Sequence, residues 1–126
     1  MLHPSPEILT LMQDIISIDT TNNWVQHVIT TYYVPETILR TITDEKLWHL
    51  ISIYQPLSED FILEMKDRVS WVHITYNQSL SEAFILSNLQ YLDLPSLKLR
   101  YPEIWSRNYL DTYVTLIDLR PHQKKG

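Results

Sequence analysis

The chain has 126 residues, fifteen acids against ten Lys and Arg for a net charge of −5, no cysteine, and one glycine, Gly126. Lack of cysteine excludes a disulfide framework, a thiolate zinc site and a cysteine nucleophile. Lack of internal glycine excludes the phosphate-cradling loop, the dinucleotide fingerprint and the nucleophile elbow, which need positive φ or close backbone approach.

The length suits one domain over residues 1–126, divided here into 1–23, 24–93 and 94–126. Met-Leu-His-Pro-Ser-Pro-Glu opens the chain without a basic region followed by an apolar run, so no secretory signal is expected. Ser5-Pro6-Glu7 reads as a helix start, and Ile8, Leu11, Met12, Ile15 and Ile16 follow at helical spacing. This is the expected N-terminal capping helix. Asp19 to Asn23 is a polar break before Trp24, whose helix is rich in β-branched residues.

A stretch from Trp48 to Leu63 is then largely rewritten from Trp71. The shared positions form W-x2-I-x3-Q-x-L-S-E-x-F-I-L at a period of 23 residues. Such a period marks stacked supersecondary units. Trp48, Ile51 and Gln55, and again Trp71, Ile74 and Gln78, share one side of a short helix. Leu57, Phe61, Ile62, Met65 and Val69 form a wider stripe on a second helix, as do Leu80, Phe84, Ile85, Leu89 and Leu92. Ser58-Glu59-Asp60 and Ser81-Glu82 place hydroxyl and carboxylate groups where the first helical N–H groups lack partners. A looser copy starts at Trp24, with Tyr32 where the pattern has glutamine and Pro35 where it has serine. Its Pro35, a residue favoured in the first helical turn, suggests that Ser58 occupies that position too. Asp44 and Asp67, four residues before each tryptophan, are open to two readings, a cap on the next helix or a solvated link, and surface composition favours the link.

The fold class expected is therefore all-α: an array of about six to eight short helices in antiparallel helix–turn–helix repeats, with terminal capping segments. The W-x2-I-x3-Q-x-L-S-E-x-F-I unit resembles a short helical repeat found in proteins of large DNA viruses and large phages. The resemblance covers roughly residues 24–86. It implies a viral helical-array protein and transfers no catalytic residue.

After Leu92 the pattern stops. Asp93-Leu94-Pro95-Ser96 reads as a turn, and Tyr101-Pro102-Glu103-Ile104-Trp105 restarts a helix. Val114 to Leu119 has the composition of a strand, open to an extended or a helical outcome, and Pro121 to Gly126 reads as a basic, frayed tail. Charge divides at the same place: residues 1–93 carry twelve acids and four bases, whereas 94–126 carry six bases and three acids. An acidic array repels phosphate backbones, which argues against nucleic acid as its partner.

Five histidines raise the question of a metal. His27, His49 and His73 follow the repeat tryptophans at unequal offsets, which directs them apart, and no metal or other cofactor is expected. Trp48 and Trp71 recur at the repeat period and are read as core. Asp60 and Glu64 share a helix face, where a solvated surface explains them as well as acid–base chemistry does. The candidate interaction patch is Lys98, Arg100, Tyr101, Arg107 and Tyr109, mixing cations with aromatic rings. No apolar run approaches the eighteen or so residues of a membrane span. The expectation is a cytoplasmic or nuclear, non-enzymatic protein-interaction module acting on a host or viral protein. The alternatives are nucleic-acid association through the basic C-terminal segment, or an acidic mimic of nucleic acid.

Overall fold

The computed structural model describes residues 1–118, and every regular element among them is helical. The described residues form ten helices: α1 (Pro6–Ile18), α2 (Asn23–Thr31), α3 (Glu36–Leu39), α4 (Glu45–Tyr54), α5 (Glu59–Glu64), α6 (Trp71–Asn77), α7 (Glu82–Ser87), α8 (Leu94–Arg100), α9 (Pro102–Arg107) and α10 (Leu110–Asp118). That exceeds the six to eight expected, because the C-terminal third holds three helices. One isolated parallel bridge joins Leu2 to Tyr32.

Most helix starts follow from local chemistry. Ser5, Asn22, Asp44, Ser58, Ser81 and Asp93 each accept a backbone N–H of the following first turn through a side-chain oxygen. Ser58 stands at the cap itself, as Pro35 does for α3, so neither occupies the first helical position. Asp44 is a true cap and not merely a solvated link. The corresponding helix α6 is preceded by Ser70, which makes no side-chain cap bond.

The second helices are shorter than their apolar stripes. α5 and α7 have six residues each, so Val69, Leu89 and Leu92 fall in the following turns. Burial does not need helix there: Val69 and Leu92 are buried all the same. Residues 93–96 are not a free turn. Asp93 caps α8, and Pro95 sits in its first turn, where a missing N–H costs nothing. The strand-like run from Val114 lies in α10 through Asp118, since an isolated strand would leave its backbone groups unpaired. Leu119 and the expected basic tail from Pro121 lie outside the described residues.

Neighbouring first helices pack in a row: α2 on α4, α4 on α6, and α6 on α8, with α1 against α2. The core runs along this row and under the second helices, through Val28, Ile51 and Ile74, with Phe61, Ile62, Phe84 and Ile85 beneath. Trp48 is almost fully buried and stacks on Phe61, its Nε1–H donating to the Ile42 carbonyl. Trp71 is only half-buried, stacks on Tyr91 and donates to the Lys66 carbonyl.

Candidate functional site

The turn after each first helix leaves helix-end carbonyls in need of donors. Gln55 supplies them for α2: its Nε2 donates to the Ile29 and Tyr32 carbonyls, and its Oε1 accepts from Val34 N–H. Gln78 does the same for α4, donating to Ser52 and Gln55 carbonyls and accepting from Leu57 N–H. Residue 56 is proline, so the Ser52 carbonyl has no backbone donor four residues on, and Gln78 Nε2 supplies one. The third clamp uses different chemistry. Tyr101 Oη donates to the Gln78 carbonyl and accepts from Leu80 N–H, while Arg100 Nη1 donates to the carbonyls of Thr75 and Gln78.

Two further links recur at the same 23-residue spacing. The Glu36 carboxylate accepts from both Ser58 N–H and Ser58 Oγ–H, and Glu59 does so for Ser81. Ser52 Oγ accepts from Ser70 N–H, and Thr75 Oγ1 from Asp93 N–H. Glu59 is therefore more than a helix-end charge: it ties the start of α7 to that of α5.

These bonds disperse the sequence-predicted patch. Arg100 and Tyr101 face inward onto the Gln78 turn. Arg107 forms a two-toothed pair with Glu82, which also accepts from Asn108 Nδ2. Lys98 lies over the Trp105 ring and bonds Asp111, whose Oδ1 also accepts from Trp105 Nε1–H. Tyr109 stands apart, 77% exposed and at φ 54° between α9 and α10. Lys98 and Tyr109 share a groove of about 970 Å³ with Pro95, Leu99, Pro102 and Trp105, and Arg100, Tyr101 and Arg107 do not line it.

Of the carboxylates drawn as an acid–base pair, Glu64 is engaged elsewhere. Glu64 is bidentate to Arg40, and that hydrogen-bonded guanidinium holds its carboxyl below the ordinary range. Arg107 and then Asn108 do the same to Glu82, as Trp105 and Lys98 do to Asp111. His49 and His73, expected to point apart, meet edge to face at 5.9 Å between ring centres, whereas His27 packs against Tyr32. Among the described residues no three His, Cys, Asp or Glu side chains are grouped to hold a metal ion, and no helix is long and apolar enough to cross a membrane.

The two broad sides of the molecule differ. Outward on the first helices lie His49 and half-buried Ile53 of α4, then Val72 (51% exposed) and Tyr76 (57%) of α6, then Pro95 and Leu99 (77%) of α8. Ile53, Tyr76 and Leu99 are spaced by 23 residues, as are His49, Val72 and Pro95. None carries a carboxylate, ammonium or guanidinium. On the second helices the outward side holds the Arg40–Glu64 and Glu82–Arg107 pairs. Sequence periodicity missed this row because its members differ chemically; only their spacing marks them. No protein-family model, characterised protein or solved structure matches the chain.

Proposed function

We propose that this chain is a non-enzymatic array of antiparallel helical repeats that binds another protein through the outward side of its first helices. The observation that carries this reading is the uncharged row of Ile53, Val72, Tyr76 and Leu99 on successive helices. Exposed apolar and aromatic groups in register across neighbouring elements mark an interaction surface more strongly than scattered ones. The 23-residue recurrence of the Gln55 and Gln78 clamps and of the Glu36 and Glu59 links supports the repeat reading. Glu64, one of the two carboxylates considered for acid–base chemistry, is held in a structural pair by Arg40. A viral setting, with a host or viral partner in the cytoplasm or nucleus, rests on the resemblance of the repeat unit alone.

For nucleic-acid association through the C-terminal segment, Arg100 and Arg107 are committed to Gln78 and Glu82, and the remaining cations of the tail lie outside the described residues. The test is affinity capture on the full chain beside its Val72→Glu and Tyr76→Glu variants, with nuclease treatment and a salt titration. A protein retained by the parent, resistant to nuclease and lost from both variants supports the proposal. Equal retention by all three refutes it. Direct binding to DNA or RNA that weakens steeply with salt favours the basic segment instead, and competition with DNA for a DNA-binding protein favours the acidic mimic.

A further inference from the structure

We infer that His49 and His73 together bind one divalent cation of the zinc type, bridging the neighbouring helices α4 and α6. Their unequal offsets from Trp48 and Trp71 predict imidazoles that point apart, yet the two rings meet. Their centres lie 5.9 Å apart, with the planes inclined at 63°.

That separation suits a shared ion. A zinc–nitrogen bond of about 2.0–2.1 Å from each ring places the centres of two imidazoles on one ion roughly 5–6 Å apart. The helices carrying the rings are already held at a fixed spacing. Gln78 Nε2 donates to the Ser52 and Gln55 carbonyls at the end of α4, and Ser52 Oγ accepts from Ser70 N–H at the start of α6. Closing the chelate therefore needs rotation of two rings and no backbone movement, which keeps the ordering cost of binding small. His49 is exposed and His73 half-buried. Among the described residues neither ring is held by a hydrogen bond, whereas His27 Nδ1 lies 3.5 Å from Thr31 Oγ1.

The surroundings favour a cation. Glu45 stands one turn before His49 on the same face of α4, and Glu45, His49 and Asp67 line one groove of about 280 Å³. Arg68 lines it too, but its guanidinium donates to the Arg40 and Ile42 carbonyls. Two carboxylates thus stand against one guanidinium. The carboxylates do not complete a three-residue cluster with the rings, so they reach the ion through its bound waters. Imidazole nitrogen selects zinc, copper or nickel over magnesium and calcium, which prefer oxygen. Two protein ligands leave the remaining coordination positions to water. Binding at this pair does not require a partner on the outward row, although His49 belongs to that row.

Calorimetric titration of Zn²⁺ into the full chain tests this, beside His49→Ala, His73→Ala, the double variant and His27→Ala. NMR of the imidazole C–H resonances shows which rings respond, since His3 and His122 are separate imidazoles. The expected result is one site at which both the His49 and the His73 rings shift. Either single variant should weaken that site at least about tenfold, and the double variant should weaken it little further, because a chelate needs both rings. His27→Ala should bind as the parent does, and Mg²⁺ should not compete. Zinc should raise the urea midpoint of the parent and leave that of the double variant unchanged. Midpoints without zinc, equal across the set, check that the variants fold. Failure of both rings to shift by about 1 mM zinc overturns the inference. So do single variants that keep the parent's affinity, which would show each ring binding alone. An average mass that doubles with zinc overturns it as well, because the ligands would then come from two copies.

Discussion

Gln78→Leu is the substitution that most directly tests how neighbouring helices are held. The Gln78 side chain is buried and serves three backbone groups: the Ser52 carbonyl at 2.9 Å, the Gln55 carbonyl at 2.7 Å and the Leu57 N–H at 3.0 Å. Leucine has nearly the same volume, so packing changes little, but all three groups lose their partner. A buried backbone group without a partner costs about 1–3 kcal/mol. The simple sum is an upper bound, because a cleft bounded by Pro56, Leu57 and Ser79 admits water to part of the site. A loss of about 3–5 kcal/mol follows, a large share of the 5–15 typical of a domain. Urea unfolding measures it, with Tyr76→Ala as an exposed control expected within about 0.5 kcal/mol of the parent. Gln78→Glu adds a check of sign. Its carboxylate would face two carbonyl oxygens, raising its folded pKa above the unfolded value of about 4.3. Its deficit relative to the parent should therefore be smallest below about pH 4.3 and should grow as pH rises through the raised value. A Gln78→Leu loss under about 1 kcal/mol would refute the reasoning, since the clamp would then be replaceable by water.

Phe61→Ala and Phe84→Ala should each cost about 3–5 kcal/mol in urea or thermal unfolding, because both rings are buried in the core. Glu59→Ala should cost about 0.5–1.5 kcal/mol by urea unfolding, since Ser81 N–H and Oγ–H lose a charged acceptor at an exposed site where water takes its place. Glu82 is held below the ordinary 4.5 by Arg107 and Asn108, so its stabilising contribution is present above that value and is lost as pH falls through the lowered one. Urea midpoints measured across that acid range should therefore fall less steeply with decreasing pH in Arg107→Leu than in the parent.

Several features were legible in the sequence because they depend on local chemistry. Ser5, Ser58 and Ser81 cap helices where their hydroxyls meet the first N–H groups. The buried positions Ile51, Ile74, Phe61 and Phe84 follow from apolar spacing alone. The patch was not legible, because a cation beside an aromatic ring in sequence says nothing about which way either points. Arg100 and Tyr101 continue the work of Gln55 and Gln78 with different atoms, so the pattern appeared to stop at Leu92 while the hydrogen bonds went on. A signal was present: Tyr101 stands 23 residues after Gln78, and Asp93 stands 23 after Ser70.

By itself the sequence determined that the repeat region is helical, where α1, α5 and α7 start, and most of the repeat side chains that leave water. Those outcomes rest on short-range capping and on apolar periodicity, which act within a turn or two of the chain. Only the tertiary structure decided which charges stay available and which residues present a surface. A guanidinium finds its acceptor across 20 or more residues, as Arg40 finds Glu64 and Arg107 finds Glu82. The packing of α4 on α6 brings His49 to His73, which follow their tryptophans at different offsets. Such pairings depend on where helices cross, and crossing geometry is fixed by the packing of whole side-chain ridges rather than by any one residue's neighbours in sequence.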